Sequence, residues 1–317
     1  MIWDSFIFRP LLCTTDHTTY MILCLTHSRD FYTIDIVQKQ LQGLGFPSVR
    51  FNMDEFAVNS RFSYTLTNTA NKNNVLIEQM NIDPAKVKAV WYRKGWNLKV
   101  PDDLDPAFKQ TFIKEYNTYR QIFFNLLSHV PWMNNMDADH AINDDKFFQL
   151  TMAQASGLKI PQTVFTNDAD TIRDFFTACK SNMVVKLHGT LSRSMEGNAA
   201  FFPTTRLSEK DMDRLDELAY CPMIFQEYVP KSYELRIAYV DGDFFTGKIG
   251  YEKEEATDWR AIKGRPIQWQ HYELPLPIRR NICALMRKLD LTFGAIDMIR
   301  RTDGEYIFLE VNPQGEW

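Results

Sequence analysis

Phe293-Gly294-Ala295-Ile296-Asp297-Met298-Ile299-Arg300-Arg301-Thr302-Asp303-Gly304-Glu305-Tyr306-Ile307-Phe308-Leu309-Glu310-Val311-Asn312-Pro313-Gln314-Gly315-Glu316-Trp317 closes the chain and decides its fold. Two apolar runs, Ala295–Ile299 and Tyr306–Val311, flank Asp303-Gly304. Asp-Gly between β-type runs is the strongest short hairpin signal. A two-residue turn there sets Thr302 opposite Glu305 and, counting outward, Asp297 opposite Glu310. Side chains alternate along a strand, so Glu310 and Asn312 share one face, and Leu309 and Val311 the other. Directly opposed carboxylates repel and destabilise a sheet. A cation between them reverses the sign. Two carboxylates and an amide oxygen make a hard oxygen set suited to Mg²⁺, an ion usually shared with substrate phosphates. A solvated face with two unconnected acids is the plainer alternative, and Asn312-Pro313 directly after the strand argues against it.

The rest of the composition bounds the class. A chain of 317 residues has room for two or three domains. With 45% hydrophobic and 24% charged residues it reads as globular. A net charge of -4 argues against nucleic acid as the partner. The cysteines, Cys13, Cys24, Cys179, Cys221 and Cys283, have no metal-ligand or disulfide spacing and fit a reducing cytoplasm. No apolar run approaches the ~20 residues that span a bilayer, so no membrane is expected. Residues 1–20 lack a basic start and a continuous apolar core, which makes a poor signal peptide. A clean strand begins at Met21, so residues 1–20 read as an upstream extension.

Residues 21–134 alternate strands (Met21–Thr26, Val49–Asn52, Val87–Arg93) with helices (Phe31–Leu44, Pro106–Leu127), the pattern of a parallel α/β sheet. A hairpin or irregular segment fills Arg61–Glu78. Ligands gather at the carboxyl ends of such strands, which makes Arg93 a candidate substrate contact. Asn134-Asn135 reads as a linker. Residues 135–225 form a middle unit with helices at Lys146–Gly157, Asp168–Lys180 and Glu209–Tyr220. Between them lie the strands Met183–His188, containing Lys186, and Ala199–Phe202, around a polar glycine-flanked loop. The spacing of a P-loop is absent, as is G-x-G-x-x-G. Residues 226–317 form an antiparallel lobe with strands at Tyr233–Val240 and Phe244–Tyr251, a helix at Leu276–Leu289 and the final hairpin. Glu234 and Arg236 share a face. Lys248 joins Arg93 as a candidate substrate contact. His188 and His271 are more simply polar bystanders than bases.

In this order Lys146, Lys186, Gln226-Glu227-Tyr228-Val229, Glu234-Leu235-Arg236, Asp297 and Glu310-Val311-Asn312-Pro313 resemble the ATP-grasp superfamily. Trp91-Tyr92-Arg93, Val185–Thr190 and Leu309–Gly315 look like its graspetide maturases, of the microviridin and grasp-with-spasm types. The resemblance implies an ATP-grasp α/β (α+β) fold: an N-terminal α/β pre-ATP-grasp domain, a central domain and a C-terminal antiparallel-sheet lobe. It implies that Lys146 and Lys186 hold ATP phosphates and that Gln226, Glu227, Tyr228 and Val229 line the adenine slot. Glu234 then binds the ribose, Asp297, Glu310 and Asn312 hold two Mg²⁺ ions, and Arg236 and Arg260 face the γ-phosphate and the substrate carboxylate. The partner it implies is a ribosomally made precursor peptide with a leader, engaged by residues 183–204 and 209–219. Its Asp or Glu side chains become acyl phosphates and then ester or amide cross-links. A homodimer is compatible with this reading. Relatives continue past the Asn-Pro segment into a last helix, so the resemblance also raises the expectation of a shortened C-terminus. The alternatives are another carboxylate–amine ligase, glutamate-ligase-like or glutathione-synthetase-like, and an inactive module that binds nucleotide or leader peptide.

Overall fold

The computed structural model describes residues 20–78, 80–95, 97–188, 204–250 and 269–315. The chain divides into two compact units, Met1–Trp132 and Met133–Trp317.

The first unit starts with β1 (Met21–Thr26), α1 (Thr33–Gly43) and β2 (Ser48–Asn52). A short α2 (Phe56–Asn59) leads into β3 (Ser60–Leu66), β4 (Asn71–Ile77) and β5 (Met80–Ile82), followed by β6 (Val87–Tyr92) and α3 (Lys109–Leu126). The β2-β1-β6 ladder is parallel, and β7 (Trp132–Met133) adds its edge where the chain leaves the unit. Leu23, Cys24 and Leu25 are completely buried, as expected of a strand covered on both faces. β3, β4 and β5 form a separate antiparallel sheet. Phe51, Phe56, Phe62 and Phe123 pack ring against ring between these elements.

In the second unit come α4 (Met136–Asn143), α5 (Lys146–Ala155), β8 (Thr163–Thr166), α6 (Ala169–Ala178), β9 (Met183–Lys186), β10 (Thr205–Arg206), a 3₁₀ helix at Glu209–Tyr220 and β11 (Met223–Glu227). β12 (Lys231–Val240), β13 (Asp243–Gly250), β14 (Gln270–His271), α7 (Leu276–Lys288), β15 (Phe293–Arg301) and β16 (Tyr306–Asn312) complete it. Carboxylate and amide caps start the helices: Asn135 accepts from Asp137 N at 2.9 Å, Asp145 from Phe148 N at 2.8 Å and Asp168 from Thr171 N at 2.9 Å. Two antiparallel sheets result, ordered β10-β9-β11-β8 and β14-β13-β12-β15-β16. The larger core joins Leu150 and Ala153 of α5 and Ile282, Leu285 and Met286 of α7 to Leu235, Ile237, Ile296, Met298, Phe308 and Val311 of the five-stranded sheet. One face of that sheet is therefore buried under helices. Period-2 alternation turns Glu234, Arg236 and Asp297 to the other. No helix among the described residues is long and apolar enough to cross a membrane.

The boundary between the two units falls at Trp132 and Met133, beside the expected linker Asn134-Asn135. What the sequence reading did not anticipate is the burial of Asn134, 1% exposed. The sequence reading also left out α4, whose residues Met136–Asn143 alternate too many polar side chains to show an apolar stripe. The expected strand at 199–202 lies outside the described residues.

Candidate active site

The hairpin β15–β16 carries the site, and it is built differently from the plain ladder expected. Its turn is one residue longer. Arg301 N donates to Glu305 O at 2.8 Å and Gly304 N to Arg301 O at 2.9 Å, leaving Thr302, Asp303 and Gly304 as a three-residue loop. Gly304 has φ +94, a left-handed conformation that glycine adopts without steric cost. Arg300 then pairs with Tyr306 and Met298 with Phe308. A bulge follows, and beyond it Asp297 pairs with Glu310 and Ala295 with Asn312. The longer turn and the extra bulge residue, Leu309, offset one another. The predicted opposition of Asp297 and Glu310 therefore stands, while the expected facing of Leu309 does not. Leu309 packs with Val229, Ile299 and Ile307, whereas Val311 enters the helix-covered core.

The opposed acids are held by cations on both sides. Arg236 is the β12 neighbour of Asp297 and donates to both its carboxylate oxygens, at 2.8 and 2.7 Å. Lys146, at the start of α5, places Nζ 3.0 Å from Glu310 Oε2. Across β12, β15, β16 and α5 the row reads Arg236, Asp297, Glu310, Lys146, with charges plus, minus, minus, plus. Asn312 Oδ1 accepts from Gln314 N at 3.0 Å and keeps a second lone pair. Two carboxylates and this amide oxygen fit a hard divalent cation completed by phosphate oxygens. Among the described residues no three His, Cys, Asp or Glu gather as a metal cluster.

Lys186 closes β9 opposite Ile224 of β11. An aromatic chain, Phe147–Phe165 at 5.5 Å and Phe165–His188 at 5.8 Å between ring centroids, links the start of α5 to the residues just past Lys186. Gln226 donates to Thr163 Oγ1 at 2.9 Å, and Glu227 accepts from Gln162 N at 3.1 Å. These two side chains serve the β8–β11 ladder. Tyr228 stacks under Arg206, 4.5 Å from ring centroid to guanidinium. Val229 belongs to the small apolar patch with Ile299, Ile307 and Leu309. Glu234 is paired with Lys231. Lys248 lies over the Tyr233 ring at 4.4 Å. Arg260 and most of the expected leader-binding hairpin lie outside the described residues.

Arg93 belongs to the first unit. It is 5% exposed, and its Nε lies 3.8 Å from Asp30 Oδ2 beyond the end of β1. Asp30 also accepts from Thr26, and Asp54 accepts from Ser28 N at 2.9 Å. Burial holds the His27 imidazole in this cluster below its ordinary value.

The sequence reading missed the residues that fasten the hairpin. Asn134 makes five hydrogen bonds across its open end: to Phe293 O at 2.9 Å and Pro313 O at 3.1 Å, and from Thr292 N, Thr292 Oγ1 and Phe293 N at 3.0, 3.2 and 2.8 Å. Asp139, fully buried, accepts from Gln314 Nε2 at 2.5 Å. A Cβ on Gly315 would come within 2.2 Å of the Ala295 Cβ, so the tail lies directly on β15. The tail after Asn312 is thus held by buried polar groups of the second unit.

A family model described as the MvdD pre-ATP grasp domain matches residues 21–140. The macrocyclase MdnB of Microcystis aeruginosa MRC is 34% identical, with 94% of this chain and 92% of that chain covered and a TM-score of 0.79. MdnC of the same organism, solved bound with the precursor peptide MdnA, is 31% identical over 94% and 92% of the two chains, at a TM-score of 0.81. A Chryseobacterium gregarium RiPP-associated ATP-grasp ligase, in complex with ADP and a leader and core peptide, is 29% identical over 94% and 90%, at 0.82. No curated protein sequence matches. The chain belongs to the family of ATP-grasp ligases and macrocyclases that act in maturation of ribosomally made peptides.

Proposed function

We propose that the chain is an ATP- and Mg²⁺-dependent ligase that cross-links side chains of a ribosomal precursor peptide. The observation that carries this is the row Arg236–Asp297–Glu310–Lys146, in which directly opposed acids are each matched by a cation. A carboxylate is a poor electrophile. In the proposed reaction a peptide Asp or Glu oxygen attacks the γ-phosphorus of ATP, ADP leaves, and an acyl phosphate results. A Ser or Thr hydroxyl or a Lys amine of the peptide then attacks the acyl carbon, and inorganic phosphate leaves with an ester or amide formed. Two anions must meet in the first step, so positive charge at the meeting point lowers the barrier.

Asp297, Glu310 and Asn312 would hold Mg²⁺, two ions in our reading, and Mg²⁺ there supplies charge neutralisation along the phosphates. Lys146 and Lys186 bind phosphate oxygens. The apolar patch of Val229, Ile299, Ile307 and Leu309 offers a face for adenine, with backbone groups of Gln226, Glu227 and Tyr228 at its edge. Glu234 takes the ribose. Arg236 and Arg260 orient the γ-phosphate and the attacking carboxylate, while Arg93 and Lys248 serve the peptide. The scattered thiols fit a reducing cytoplasm.

Incubation with a candidate precursor rich in Thr, Ser, Lys, Glu and Asp, with ATP and Mg²⁺, is expected to lower the peptide mass by one water per link and release one ADP per link. A mass gain by glutamyl units contradicts cross-linking and supports a glutamate ligase. ATP binding without phosphate release with any peptide supports an inactive binding module.

A further inference from the structure

β16 is the edge strand of the five-stranded sheet, so alternate N–H groups along it point away from the ladder. Two of these are taken by the rest of the unit. Phe308 N donates to Lys159 O at 2.8 Å, and Val311 N donates to Gln149 Oε1 at 2.9 Å. Between them lie only Leu309 and Glu310, the bulge that brings Glu310 opposite Asp297. The bulge is therefore bracketed from outside by one bond on each side.

Gln149 makes the bond nearer the metal-ligand end, and it is an unusual residue for its place. It is completely buried and bonded to the backbone of Ile142 and Val311, both residues of the apolar core. An amide in such surroundings is costly unless both ends are bonded. Both are: Nε2 donates to Ile142 O at 2.8 Å, which fixes the amide so that Oε1 is the end offered to Val311. A leucine or methionine would fill the same volume without that cost. Packing alone does not explain a glutamine here, but setting the position of β16 does. Gln149 also lies three residues after Lys146 on α5, on the same helix face. One helix face thus grips consecutive residues of β16, the Glu310 carboxylate through Lys146 and the Val311 backbone through Gln149.

We infer that Gln149 is a positioning residue for the metal site: it holds the bulge of β16 so that Glu310 and Asn312 stand at the distance from Asp297 that a divalent cation requires. The inference rests on the proposed role of Asp297, Glu310 and Asn312. Groups that hold metal ligands in place change metal affinity by about tenfold or more when removed.

The test is Mg²⁺-dependent binding of ADP by the full chain, read as the half-saturating Mg²⁺ concentration in calorimetric titrations. Four proteins are compared: wild type, Glu310→Ala, Gln149→Met and Ile282→Val, the last a mild change in the same core on α7. The underlying reading requires that Mg²⁺ strengthen ADP binding in wild type and much less so in Glu310→Ala. Failure there removes the metal assignment itself, whatever Gln149 does. Given that result, Gln149→Met is expected to raise the half-saturating Mg²⁺ about tenfold, while ADP binding in the presence of a chelator stays as in wild type. Ile282→Val, with a lowered melting temperature, is expected to keep the wild-type Mg²⁺ requirement. Val311→Pro deletes the same bond from the strand side, because proline carries no N–H. It should shift the Mg²⁺ requirement in the same direction and serves if Gln149→Met does not fold. A wild-type Mg²⁺ requirement in Gln149→Met or Val311→Pro, or an equal shift in Ile282→Val, overturns the inference.

Discussion

Lys146 and Glu310 form an ion pair between α5 and β16, Nζ to Oε2 at 3.0 Å, with side chains 13% and 26% exposed. Arg236 does the same for Asp297 from the opposite side. Each acid of the proposed Mg²⁺ site is thus matched by a cation that the nucleotide's phosphates would also attract. The two pairs explain how directly opposed carboxylates persist on neighbouring strands of a packed sheet. They also set what happens when one cation is removed.

Lys146→Met leaves Glu310 beside Asp297 with no lysine. The ligand-free variant is expected to lose about 1–3 kcal/mol of stability, between the values for exposed and buried pairs. Mg²⁺ alone should restore part of that loss, because it can take the place of the ammonium. The check is thermal unfolding with and without Mg²⁺. The expected result is a larger Mg²⁺-dependent rise in melting temperature for the variant than for wild type, and equal rises contradict the pairing argument.

Asp139 gives a pH dependence. Burial pushes its carboxyl up to about 7 from the ordinary 3.8, against the opposing pull of hydrogen bonds from Gln314 and Asn134. The folded chain therefore keeps a proton that the unfolded chain has already lost. The stabilisation is complete below about pH 4, declines as the pH rises towards 7, and changes no further above that. Asp139→Asn cannot titrate and still offers an oxygen to Gln314. Chemical denaturation from pH 4.5 to 8 should show wild type losing stability relative to the variant across that window. Parallel pH profiles would refute the assignment.

The two glycines at the ends of the hairpin should respond differently to alanine. At Gly304 the obstacle is its φ of +94 and only the Arg300 side chain is near, so Gly304→Ala costs about 1 kcal/mol. At Gly315 a Cβ would meet the Ala295 Cβ at 2.2 Å. Gly315→Ala must push the tail off β15, and the expected cost is larger, about 1–3 kcal/mol, the usual range for overpacking. Melting temperatures of the two variants test the order, and a milder effect at Gly315 contradicts the close approach.

How far the site was legible in the sequence follows from what each signal depends on. Alternation and an Asp-Gly turn are local, so β15, β16 and the facing of Asp297 against Glu310 could be read from the chain itself. The turn's third residue and the bulge at Leu309 escaped because each shifts the register by one and together they cancel. Lys146 was legible as a helix start, capped by Asp145. Its partner Glu310, 164 positions on, was not, since no local pattern encodes a long-range ion pair. Asn134 read only as a linker because paired asparagines favour turns, and its five bonds are all to residues more than 150 positions away. Gln149 had one signal available: a polar residue on the apolar face of a helix, three residues after a functional lysine.

The central claim is that Asp297 and Glu310 hold the metal that makes ATP usable for peptide cross-linking. The most direct measurement is the mass of a precursor peptide co-expressed with wild type, Asp297→Asn or Glu310→Gln, with folding of each protein checked by its melting temperature. The account predicts a loss of one water per link with wild type and an unmodified peptide with either folded variant. A peptide dehydrated to near the wild-type extent by either variant would contradict it.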